Sequence, residues 1–107
     1  MAFKITNKEE FDALKNKPDV KKVEYGAQFD TLLSEGELIF FEMSDGYGSF
    51  RIKKGFGLSK PKGEIYMLKF EEKIPQIYEN KDIKKLKGIF DNFFKKEVDM
   101  FYIEGLR

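Results

Sequence analysis

The chain is 107 residues long and nearly neutral, with 20 basic against 19 acidic side chains, and 41% of it is apolar. That length suits one domain, and twelve Phe with five Tyr supply the bulk of a packed core, which excludes a disordered chain. With neither Cys nor His, disulfides, thiolate nucleophiles, His- or Cys-ligated metals and Ser-His or Cys-His catalytic pairs are excluded as well.

No apolar leader opens the sequence and no apolar run approaches about twenty residues, so the expectation is a cytoplasmic protein without a membrane partner. Eighteen Lys against two Arg, with twelve Glu and no Cys, resemble the composition of thermophile proteins, a Lys bias that a low-GC genome also produces. Charge is unevenly spread. Residues 1–50 carry six lysines against ten acids, and residues 51–107 carry fourteen basic side chains against nine acids. Such asymmetry fits a basic face for a polyanion, and equally two halves whose charges pair across one fold.

In chain order, Ala2 to Ile5 reads as a short strand, and Thr6-Asn7-Lys8-Glu9 is a capping-box pattern that starts a helix. Phe11 and Leu14 form its apolar stripe, and Pro18 ends it. Val20, Val23 and Tyr25 suggest a strand running to about Phe29, and Asp30 to Gly36 a turn or single helical turn. Glu37 to Met43 alternates Leu38 and Phe40 with Ile39, Phe41 and Met43, so both faces need cover and the strand belongs at the centre of a sheet.

Asp45-Gly46 signals a hairpin. In the returning strand, Tyr47 to Lys54, Phe50 and Ile52 share one face and Ser49, Arg51 and Lys53 the other, which is expected to meet water. Glu64 to Phe70 is a further strand that Pro75 stops. Asn80 is placed to cap a helix with Ile83, Leu86, Ile89, Phe90, Phe93 and Phe94 on one side, and Val98 to Glu104 closes as a strand. The order predicts an α+β domain over 1–107, a ferredoxin-like βαβ framework with added antiparallel strands and a single layer of helices on a mixed or antiparallel sheet. Its expected core includes Phe11, Leu14, Ile39, Phe41, Met43, Phe50, Ile52, Leu86, Phe90 and Phe93.

The segment from Arg51 to Gly63 gathers cations, one aromatic and three glycines. Its Lys54-Gly55-Phe56-Gly57 matches the opening of the RNP1 pattern of RNA-recognition motifs, but Leu58-Ser59-Lys60-Pro61 replaces the aromatic strand that should follow, and the match stops there. The physical pairing remains: Arg51, Lys53, Lys54, Lys60 and Lys62 suit phosphates, and Phe56 offers a face for an unpaired base. The plainer reading is a conformational Gly-Phe-Gly loop with solvated lysines.

At about 100° per residue, the last helix groups Lys84, Lys85 and Lys95 around Gly88, with Asn92 and a diluting Asp91. Glu37, Glu42, Asp45 and Glu64 near Lys53 or Lys54 lack any metal-nuclease spacing, and no Gly-Lys-Ser/Thr follows the glycines as a P-loop requires. The chain therefore reads as a non-catalytic binding module without cofactor or metal, with single-stranded nucleic acid as the leading partner. The alternative is a protein-binding accessory or inhibitor of viral or mobile-element type, or a homodimer, acting through exposed apolar sheet surface at Leu38, Phe40, Tyr47 and Tyr102.

Overall fold

A computed structural model describes residues 8–53, 57, 60–72, 74–93 and 98–104. The expected strand at 2–5 and the Thr6 end of the capping box lie outside the described residues. Helix α1, Lys8–Lys15, buries Phe11 and Leu14 one turn apart and carries a Lys8–Asp12 pair at 3.1 Å on its exposed side. After strand β1, Lys21–Val23, the chain departs from expectation: residues 27–34 form one two-turn helix, where a strand to about Phe29 and then a turn or single helical turn are expected. Gly26, at φ 128°, turns the chain, and Phe29, Leu32 and Leu33 recur at the helical spacing that buries all three. This helix, α2 (Ala27–Ser34), ends in a Schellman motif. Gly36, at φ 82°, donates to the Leu33 carbonyl, and Glu37 N–H donates to that of Leu32, both at 3.0 Å.

Strands β2 (Ile39–Met43), β3 (Gly46–Lys53) and β4 (Lys62–Lys69) form an antiparallel meander, and β5 (Gln76–Asn80), which the sequence reading lacks, extends it at the edge. Helix α3 (Ile83–Phe93) is capped by Asp82, not Asn80: the Asp82 carboxylate accepts the Lys85 N–H at 3.2 Å. Asn80 acts one step earlier, accepting the Asp82 N–H at 2.8 Å. Strand β6 (Asp99–Tyr102) completes an antiparallel sheet of order β1-β6-β2-β3-β4-β5.

The protein is thus an α+β fold on a single six-stranded antiparallel sheet. Because β6 pairs antiparallel with both β1 and β2, those two strands run parallel with β6 between them, a split βαβ unit bridged by α2. Strands β5 and β6 likewise run in one direction and are bridged by α3.

Helices α2 and α3 share one face of the sheet. There Phe29, Phe41, Phe50 and Phe90 meet with ring centroids 5.3 to 5.7 Å apart. The helices do not form a single layer, however. Helix α1 lies on the opposite face, where Phe11 stacks on Tyr47 at 4.7 Å within a second core containing Leu38, Phe40, Tyr66 and Phe101. The cause is the double-sided apolar content of β2, which supplies Ile39 and Phe41 to one core and Leu38 and Phe40, at its start and within it, to the other. Met43 and Ile52 are half-buried against the first core, and the side chain of Phe93 lies outside the described residues.

Candidate functional site

Strand pairing gathers the inner cations of the Arg51–Gly63 segment around two acids. Arg51 stands across from Glu64, Lys53 from Lys62, and β5 sets Glu79 beside Glu64, all on the face that α1 partly covers. Arg51 Nε donates to Glu64 Oε1 at 3.2 Å, with Nη2 at the same distance but poorly aligned for a hydrogen bond, and Lys53 Nζ lies 2.9 Å from Oε2. The Arg51 and Glu64 side chains are only 12% and 8% exposed, so this ion pair is part of the fold. That corrects the expectation that the Ser49, Arg51 and Lys53 face meets water: all three are half-buried. Lys62 pairs with Glu79, and the ammonium hydrogen bond holds the Glu79 carboxyl below its ordinary value. Arg51, Lys53 and Lys62 are thereby each paired within the sheet, Arg51 and Lys53 sharing the one carboxylate of Glu64.

Lys54, Phe56 and Lys95 lie outside the described residues. Lys60, Lys84 and Lys85 are exposed and, among the described residues, meet no carboxylate at ion-pair distance, and Lys81 behaves in the same way. The fold brings them to one end. Gly63 in β4 lies directly under α3, where a Cβ would come within 2.5 Å of Leu86 Cδ2 and 3.1 Å of Ile83 Cδ1. Asn80, opposite Gly63 in β5, leads through Lys81 into the helix. Lys60 is three residues from Gly63, a reach of at most about 11 Å. The first turn of α3 contains no acid and two lysines, Lys84 and Lys85, against the preference of a helix N-terminus for negative charge. Asp82 alone offsets them.

Elsewhere on α3, Lys87 pairs with Asp30 of α2. Gly88 is half-buried, and a Cβ there would meet nothing within 4 Å, so no packing demand explains the glycine.

The apolar surface expected at Leu38, Phe40 and Tyr47 is buried beneath α1, each residue being 1% exposed, and Tyr102 is half-buried. Among the described residues the exposed large hydrophobics are instead Tyr25, Phe70, Ile74 and Ile77. Ile74 and Ile77 fall at or beside β5, a strand whose five residues hold only one adjacent apolar pair and so show no alternation in the sequence. An open hollow beside Phe70 is lined by Ser44, Asp45, Lys69, Glu71 and Glu72. Among the described residues no three acids gather to hold a metal, and no helix is long and apolar enough to cross a membrane. No protein family, curated protein or solved structure matches the chain.

Proposed function

We propose that the protein is a non-catalytic module that binds single-stranded nucleic acid across the end of the sheet where β4 begins beneath the first turn of α3. Lys60, Lys84 and Lys85 are the phosphate contacts, and Phe56, from its place among the cations in sequence, the stacking ring. The observation that carries the reading is the pair of exposed lysines in the α3 first turn. They oppose the helix dipole and meet no carboxylate among the described residues, so helix stability does not account for them. An incoming phosphate there gains both the lysine charge and the positive end of the helix.

The test is a salt titration of oligonucleotide binding, single- and double-stranded, by fluorescence anisotropy. Combined Lys60→Ala, Lys84→Ala and Lys85→Ala should weaken binding to all sequences. The slope of log K against log salt should fall by about 0.7 for each single-strand phosphate that the protein no longer neutralises, with a melting temperature equal or higher because cations are removed from a helix N-terminus. Lys87→Ala, which breaks the pair with Asp30, should leave the slope alone. Phe56→Ala should cost about 1–3 kcal/mol on single strands and much less on duplex. Absence of binding at low salt, or indifference to the triple substitution, overturns the reading.

A further inference from the structure

The two edges of the sheet are guarded differently. Strand β1 is three residues long and carries exposed Lys21 and Lys22, the usual means by which an edge resists pairing with another chain. Strand β5 is five residues, Gln76 to Asn80, with no lysine and no proline inside it. Its single charge, Glu79, is already paired with Lys62 of the neighbouring strand. Ile77 within it and Ile74 just before it are 45% and 79% exposed.

The direction of the β5 backbone groups that no other described strand pairs follows from the ladder. Phe70 N–H donates to the Asp45 carbonyl at 2.9 Å, and these two residues stand opposite each other one step beyond the Gly46–Lys69 pair, so Asp45–Phe70 is a hydrogen-bonded pair and Gly46–Lys69 a non-hydrogen-bonded one. Antiparallel alternation then directs Glu64 and Tyr66 of β4 toward β3, and Gly63, Ile65 and Met67 toward Asn80, Tyr78 and Gln76 of β5. The N–H and C=O groups of Ile77 and Glu79 therefore face outward from the sheet.

We infer that β5 is the interface through which two copies of this chain pair antiparallel, about a two-fold axis at Tyr78, into one continuous sheet. In that register Ile77 lies opposite Glu79 of the partner subunit, and Glu79 opposite Ile77 of the partner subunit. Both residues are those with outward backbone groups, so the edge complements itself. Neighbouring registers do not: centring on Ile77 sets Glu79 against a proline without an N–H, and centring on Glu79 sets like charges together. This inference is independent of the nucleic-acid reading.

Light scattering after size exclusion, from about 1 to 500 µM protein, decides it. The unmodified chain should move with concentration from 12.6 kDa to twice that mass. Ile77→Lys, at an exposed position, should raise the dissociation constant at least about tenfold. The chain has no Cys, so Tyr78→Cys introduces a single thiol at the two-fold. There facing Cα atoms sit about 4.5 Å apart, within disulfide range, and mild oxidation should yield a covalent dimer. Lys22→Cys on the other edge should not cross-link. A mass fixed at 12.6 kDa throughout the series overturns the inference, as does a dimer indifferent to Ile77→Lys or cross-linking through position 22 but not 78. The concentration series on the unmodified chain stands even if Tyr78→Cys fails to fold.

Discussion

Tyr47 shows how far a single side chain is committed to the fold. It is 1% exposed, stacked on Phe11, and its hydroxyl has no hydrogen-bond partner among the described residues. Burial pushes its pKa up to about 12, and burial raises that of Tyr66 in the same core. A phenol that holds its proton more tightly folded than unfolded contributes stability that is whole below pH 10 and is lost as pH rises from 10 toward 12. Tyr47→Phe should therefore leave stability at neutral pH equal or higher, since it deletes an unsatisfied buried group. It should also make the alkaline decline in urea midpoint shallower, with the remaining decline including the share of Tyr66. A decline as steep as that of the unmodified chain would show that the hydroxyl is hydrated.

At the scale of elements, Gly46, Gly48 and Gly63 each sit where a Cβ has no room, and the last two differ in what stands opposite. A Cβ on Gly48 would fall 2.1 Å from the Tyr66 carbonyl oxygen, a backbone atom in the neighbouring strand that cannot turn aside, and 2.5 Å from the Phe41 ring. On Gly63 the nearest atoms are the tips of Leu86 and Ile83, which can turn or let α3 lift slightly. Gly48→Ala should thus lower unfolding free energy by about 1–3 kcal/mol or more, and Gly63→Ala by the lower end of that range, measured by urea titration. Equal losses would mean that α3 is held as rigidly as the β3–β4 ladder. The elements themselves were unevenly legible. Helix α1, strand β2 and the Asp45-Gly46 hairpin announce themselves through Phe11 and Leu14, through an unbroken apolar run, and through turn chemistry. Helix α2 did not, because Val20, Val23 and Tyr25 carry a β signal up to its first turn and the two glycines that bound it read equally well as loop.

For the molecule as a whole, the sheet is shared by two cores, so damage to either should be felt by both. Phe11→Ala in the α1 core and Phe90→Ala in the α3 core each remove a side chain at most 1% exposed and should each cost about 3–5 kcal/mol. Far-ultraviolet and near-ultraviolet circular dichroism should still report one coincident transition in both variants. Two separate transitions would mean that the faces fold independently. The charge asymmetry resolves at this scale too. The sheet itself pairs Arg51, Lys53 and Lys62 with Glu64 and Glu79 of the same half of the chain, and among the described residues leaves Lys60, Lys81, Lys84 and Lys85 exposed without an ion pair.

Taken alone, the sequence determined the α+β class, the central place of β2, the Phe-rich core and the location of most elements, because these follow from composition and from periods of 2 and 3.6 that are local. It also showed that more apolar side chains alternate along the sheet than one face can hide. Only the tertiary structure decided that α1 supplies the second cover, that a weakly patterned segment becomes edge strand β5, and which lysines are paired and which, among the described residues, are exposed without an ion pair. Those outcomes depend on strand register, and register is set by partners distant in sequence: Glu79 acts on Lys62 and sits beside Glu64 only because β5 joins the sheet.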